Sequence, residues 1–193
     1  MSGPATIWWV RHGPTGVRGM CGWSDVPARL DDAAALSRLS AALPPDAAVV
    51  SSDLDRARRT ADAIAGPRRR LPDDPALREM HFGDWELRTA AEIEAADPET
   101  ARAFWDDPAS VTPPGGEHWD ALSARVESAV VRLTEGGGDL VAVAHFGTIL
   151  SQVQRARGTH GPDAFAQAVR PLSLTRIRID GAARVVDCAD LLP

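Results

Sequence analysis

The stretch Asp139-Leu140-Val141-Ala142-Val143-Ala144-His145-Phe146-Gly147 decides how the rest of the chain is read. Leu140 to Ala144 is an apolar run of strand length with no helical period, and Asp139 to Ala144 therefore reads as a buried strand. It delivers His145-Phe146-Gly147 to the start of a helix expected over Thr148–Arg157. Thr6 to Val10 has the same character and ends in Arg11-His12-Gly13-Pro14, so charged residues again follow a buried strand. Ala47 to Val50 is a third short strand, followed by Ser51-Ser52-Asp53, residue types suited to cap a helix over Leu54–Ala65 that Gly66-Pro67 ends.

Helical spacing also marks Asp31 to Leu43, stopped by Pro44-Pro45, and His118 to Glu135, stopped by three glycines. Thr89–Ala96 and Glu99–Trp105 are shorter helices parted by Asp97-Pro98, while Leu77 to Glu86 has no clean period and reads as an ordered loop anchored by Phe82 and Trp85. Leu172–Ile179 and Ala183–Cys188 flank Asp180-Gly181, a hairpin signal. Alternating strands and helices predict an α/β fold, a three-layer α/β/α sandwich whose central sheet is mostly parallel and ends in a C-terminal antiparallel hairpin. With 193 residues, 1–193 is read as one domain.

Composition narrows the function classes. All 21 basic residues are arginine, and 27 carboxylates leave a net charge of −6, with the sequence pI near 5.3. A polyanion surface for nucleic acid or a polybasic membrane patch is not expected, the only basic triplet being Arg68 to Arg70. Neither a signal segment nor an apolar run near the ~18 residues of a membrane span is evident, and a cytoplasmic location is expected. Cys21 and Cys188 stand far apart in no metal-like spacing, so neither a disulfide framework nor a metal is expected. The want of lysine matches a GC-rich coding bias that also favours Ala, Gly, Pro and Asp.

Sheets of this class bind ligands at the carboxyl ends of their strands. Three strand ends offer chemistry here: Arg11 with His12, Ser51 through Arg56, and His145. Taken singly, a histidine at a strand end is usually structural, and Arg56 beside Arg58 and Arg59 is usually a solvated face. Together, two imidazoles and two guanidiniums converging after buried strands point to an anionic ligand, phosphate above all, whose oxygens match the planar fork of arginine. Helix N-termini near Ser51–Asp53 or Gly147–Thr148 would add backbone donors.

Five ordered pieces carry a resemblance: Arg11-His12-Gly13; Gly22 to Val26; Ser51 to Ala57 with Thr60-Ala61; Glu79 before Phe82-Gly83-Asp84-Trp85-Glu86; and His145 after its strand, preceded by Pro114-Gly115-Gly116-Glu117. In this order they resemble the histidine phosphatase superfamily, the phosphoglycerate-mutase-like group, over nearly the whole chain. The resemblance implies His12 as nucleophile, Arg11, Arg56 and His145 as the phosphate clamp, and Glu79 as proton donor with Glu86 its rival. It implies no cofactor and no metal. Thr15, Arg18, Cys21, Gly22, His81 and Phe146 are candidate rim residues by the same analogy. Trp8, Trp9 and Trp105 read as packing residues, and Trp23, Trp85 and Trp119 as nearer the pocket.

Pro14, Leu87 and Phe146 depart from residues common in the family (Glu, Gly and the second residue of His-Gly-Gly), which bears on substrate choice rather than on the reacting groups. The compact segment from Leu87 to Gly116 favours hydrolysis of a small phosphorylated metabolite over a mutase, and the compact branch includes α-ribazole phosphatases. Alternatives are a cofactor-dependent phosphoglycerate mutase, a phosphohistidine-protein phosphatase and a noncatalytic phosphate-binding module. A homodimer through the terminal hairpin is a further option.

Overall fold

In a computed structural model, residues 3–193 are described. One sheet of five strands has the order β2-β3-β1-β4-β5, built from β1 (Ala5–Arg11), β2 (Ala48–Ser51), β3 (Gly138–Ala144), β4 (Leu174–Asp180) and β5 (Ala183–Leu191). The three strands bearing site residues pair in parallel, and β4 and β5 join them antiparallel as the hairpin the sequence predicts.

Alternation along the strands assigns each face. Ile7 and Trp9 of β1 and Leu140, Ala142 and Ala144 of β3 pack in one cluster with α5 (Trp119–Leu133) and α6 (Phe146–Arg157). Val10, Val141 and Val143 pack in a second cluster, against α1 (Ala33–Ala42) and α2 (Asp55–Ala65). Both faces of the central strands are thus covered, as their unbroken apolar runs require. Two short helices, α3 (Ala90–Ala96) and α4 (Pro98–Asp106), extend the first layer over the carboxyl end of the sheet, anchored by buried Ile93, Ala101 and Phe104.

Some local expectations change. The Leu77–Glu86 loop follows directly on a single turn of 3-10 helix, Pro75–Leu77, and contains a second, Gly83–Trp85. Ser51, Ser52 and Asp53 do not cap α2, whose N-cap residue is Leu54. The cap comes from a distant loop instead: the Asp55 N–H donates to Asp25 at 2.6 Å, which frees Asp53 to pair with Arg78. α6 begins two residues earlier than expected, with His145 as its N-cap residue, because Phe146 already follows helical geometry.

The basic triplet is also resolved by packing. Arg68 folds inward and donates to the carbonyls of Ser40, Leu43 and Pro44 at 2.7–2.8 Å, and to those of Ile64 and Ala65 at 3.3 Å. A guanidinium there gathers carbonyls at the C-termini of two helices, the negative ends of both dipoles. Arg70 is held by Asp62 and Asp73, which leaves Arg69 alone exposed. Replacing Arg68 by Ala should destabilise the protein by about 2 kcal/mol and lower Tm by roughly 4–8 °C. Arg68→Lys should recover only part of this, because one ammonium cannot reach both helix ends; thermal and urea unfolding would measure both.

Candidate active site

The register of the parallel strands fixes the centre of the site. Arg11 lies level with Ala144, so His12 and His145 leave adjacent strands side by side, their ring centroids 5.0 Å apart. Backbone bonds extend the pairing beyond the strands: His12 N–H donates to Ala144 O at 3.0 Å and Ser52 N–H to Val143 O at 3.0 Å. Thr60 ties the first loop to α2, accepting from Gly13 N–H at 2.9 Å and donating to Arg56 O at 2.7 Å.

His12 is buried, and its Nδ1 lies 2.7 Å from Gly13 O. A carbonyl only accepts, so Nδ1 carries the proton and Nε2 holds the lone pair, to which Arg56 Nε donates at 3.3 Å. Burial, followed by the Arg56 charge, pushes the His12 pKa down to about 3. The ring is therefore neutral at physiological pH. Burial, then Arg56, also holds His145 well below the usual histidine range, and neither of its ring nitrogens has a hydrogen-bond partner among the described residues.

Two arginines complete the cluster in different ways. Arg11 donates to Val169 O at 2.6 Å through Nη1 and stands 5.6 Å from the Phe146 ring centroid, facing the cavity. Arg56 is fully buried; its Nη groups donate to the carbonyls of Cys21, Gly22 and Ser24 at 2.5–3.3 Å. It serves as the strut of the 21–24 loop while turning Nε toward His12.

The two carboxyls that compete for the proton-donor assignment have opposite surroundings. Glu86 accepts from the backbone N–H groups of Gly22, Trp23, Ser24 and Phe82 and from the Ser24 hydroxyl, at 2.6–3.2 Å. Those donors outweigh partial burial and hold its pKa below the ordinary range. Glu79 is buried and accepts from Gly147 N–H, 3.0 Å from each oxygen, and from Met80 N–H at 2.8 Å. Burial dominates here, and its pKa is raised. Arg125, donating to Ala76 O and Arg78 O at 3.0 Å, and Thr148, donating to Arg78 O at 2.9 Å, fix the backbone that presents it. Gly147 must be glycine at this approach, since a Cβ would overlap the Glu79 carboxyl.

Arg11, His12 and Glu79 line one cavity of about 440 Å³, together with Thr15, Cys21 and Phe146 of the expected rim. Arg56 and His145 stand behind that lining. Arg18 is exposed beside the wall residues Val17 and Gly19, Gly22 is bound to Arg56 and Glu86, and His81 packs on Trp23, and none of these three lines the cavity. Cys21 and Cys188 are free thiols, and burial raises the pKa of Cys21, which leaves it protonated. Among the described residues no three His, Cys, Asp or Glu side chains are grouped to hold a metal ion.

The tryptophan assignments are partly exchanged. Trp85 is buried beneath the site, with Trp105 stacked over it at 6.2 Å, and it is Trp105 that lines the cavity with Trp119. Trp23 lies outside, with the Arg78 guanidinium 4.7 Å from its ring centroid. Phe104 and Phe165 on the wall are not foreseen by sequence reading. The adjacent pair Phe104-Trp105 holds the signal: neighbours on a helix lie about 100° apart, so both cannot point into one core.

The family model for the histidine phosphatase superfamily (branch 1) matches residues 7–190. The chain is 35% identical over 114 residues to the adenosylcobalamin/alpha-ribazole phosphatase of Escherichia coli (strain K12), covering 57% of the chain and 56% of that relative. Against the enzyme of the same name from Salmonella typhimurium the identity is 33% over 159 residues, covering 77% and 78%. Bacillus stearothermophilus YhfR superimposes with a TM-score of 0.85 at 30% identity, over 95% of each chain.

Replacing Glu86 by Gln should lower stability near neutral pH by roughly 1–2 kcal/mol, a figure discounted for its partial exposure. A lowered folded pKa stabilises fully above the unfolded value of about 4.3 and is lost as pH falls through the folded one. The stability difference between wild type and Glu86→Gln should therefore persist from pH 8 to 5 and close below about pH 4, as urea titrations at each pH would record.

Proposed function

The chain belongs to the histidine phosphatase superfamily, and on that basis we propose that it is a phosphatase hydrolysing a small phosphorylated metabolite in the cytoplasm, without a metal, through a phosphohistidine. The observation that carries the reading is the cavity shared by a neutral His12 whose Nε2 keeps its lone pair, a guanidinium and a buried carboxyl of raised pKa. α-Ribazole 5′-phosphate, suggested by the names of two relatives, is the first metabolite to test.

Burial beside arginines costs free energy that a dianionic phosphoryl group offsets, because it supplies the acceptors that Arg11 Nε and the buried His145 ring lack. With phosphate held by Arg11, Arg56 and His145, His12 Nε2 attacks phosphorus in line. The N–P bond forms as the P–O bond to the leaving alkoxide breaks, and Glu79 gives that oxygen its proton. In the second half, water attacks phosphorus and passes a proton to the Glu79 carboxylate as the N–P bond breaks. Inorganic phosphate leaves, and His12 returns neutral. Gly13 O keeps the proton on Nδ1 throughout, holding Nε2 as the reacting atom.

Against a mutase stands the compact cap formed by α3 and α4; against a noncatalytic module stands the raised pKa of Glu79, which a binding role does not use. His12→Ala should abolish an acid-labile phosphoenzyme seen after rapid quench; accumulation of that species in the variant would remove His12 from the reaction. Glu79→Gln should slow hydrolysis of alkyl phosphates by about 10²–10⁴-fold while sparing 4-nitrophenyl phosphate far more. Activity should persist in EDTA.

Because His12 is neutral down to about pH 3, kcat/KM should show no acid limb from the nucleophile between pH 5 and 7. It should decline on the alkaline side as Glu79 ionises, and that limb should vanish in Glu79→Gln.

A further inference from the structure

The chain contains four phenylalanines, six tryptophans and no tyrosine. All four phenylalanines, Phe82, Phe104, Phe146 and Phe165, line the one cavity that holds His12, and Trp105 and Trp119 join them. Phe104 and Trp119 also belong to the buried core, but Phe82, Phe146 and Phe165 are only partly buried and Trp105 is exposed, so the aromatic set extends beyond the core onto the open cavity wall. Trp105 is 40% exposed, edge-on to Phe104 at 5.2 Å and stacked on Trp85, so its ring is held in place while one face stays open. Trp119 and Phe165 are likewise locked edge to face at 4.7 Å, with the Trp119 indole N–H bonded to Gln154 Oε1 at 3.1 Å.

The charges of the wall are equally selective. Arg11 and Glu79 are its only ionisable groups besides His12 and Cys21, and both belong to the phosphoryl end. Of the guanidiniums near the wall, Arg78 is committed to Asp53 through two bonds of 2.6 and 2.7 Å and Arg125 to Glu117 at 2.7 Å, while Arg18, between the wall residues Val17 and Gly19, is exposed and does not line the cavity. A carboxylate or second phosphate on the substrate would enter an apolar chamber without a counter-charge.

Resting on the phosphatase reading above, we propose that the alcohol released from phosphate carries a flat aromatic or heteroaromatic ring and no second anionic group, and that Trp105 is the residue that selects it. The ring lies against the open face of Trp105, within the phenylalanine wall, while the phosphoryl group reaches His12. Phosphoglycerate-type monoesters are excluded by the same wall.

Two measurements on the intact protein separate this inference from its premise. The first compares kcat/KM for naphthylmethyl phosphate, ethyl phosphate and 3-phosphoglycerate, all esters of alkyl alcohols, so that the leaving group's acidity does not set the order. The second compares binding of naphthylmethylphosphonate, ethylphosphonate and phosphonoacetate by calorimetry, which needs no turnover. The naphthylmethyl compound should lead in both. In Trp105→Ala its advantage over the ethyl compound should shrink on the order of 10-fold, mainly through KM, and Trp105→Phe should restore most of it. If phosphonoacetate bound as well as naphthylmethylphosphonate, or if Trp105→Ala lowered every substrate equally, the inference would be overturned and the phosphatase reading kept. If folded protein hydrolysed none of the esters, the phosphatase reading would fail, and the inference with it.

Discussion

Everything at the site depends on the in-register parallel pairing of β1 with β3. With Arg11 level with Ala144, each strand releases its histidine at the same height, and the chain has no freedom to separate them without breaking a central ladder. A slip of one residue would turn Ile7 and Trp9 to the other layer, exchanging the two core clusters. The packing of the hydrophobic layers therefore sets the spacing of His12 and His145, and the chemistry inherits the precision of the core.

That inheritance has an electrostatic cost which the surrounding loops distribute. Two imidazoles, two guanidiniums and a carboxyl gathered in a largely buried space would repel or ionise wrongly if left alone. Instead the histidines remain neutral, Arg56 is surrounded by the carbonyls of residues 21–24, and the loop bearing those carbonyls is pinned from the other side by Glu86. Glu86 and Arg56 thus act on the same loop through opposite backbone groups, one gathering its N–H donors and the other its carbonyl acceptors. The segment around Trp85-Glu86 is in this sense a fastening for the loop that Arg56 braces.

The strands, the longer helices and the hairpin were legible in the sequence because hydrophobic run length and turn residues report them directly. The convergence of Arg11, His12, Arg56 and His145 was legible too, since a parallel sheet gathers its strand ends. Less was readable where long-range contacts decide. Asp25 caps α2 from a loop 30 residues away, which no local pattern around Ser51–Asp53 signals. Glu79 and Glu86 look alike in the sequence, and only their partners separate a buried carboxyl from a loop anchor. Trp105 reads as packing because the one-dimensional pattern does not say which side of α4 faces the cavity.

The cavity has two walls of different origin. Its floor comes from the end of β1, the Glu79 segment and the first turn of α6, where Gly147 leaves no space beyond the Glu79 carboxyl, so change there disturbs the cluster of Arg11, His12 and Glu79 at once. Its roof comes from α4, the start of α5 and the short turn Pro162–Ala166, none of which contributes a strand. The exposed roof position Trp105 can therefore change while the floor stays intact. Substitution at the roof would reshape the cavity while leaving that cluster in place, and a designer seeking a different cavity would edit the same few helical positions.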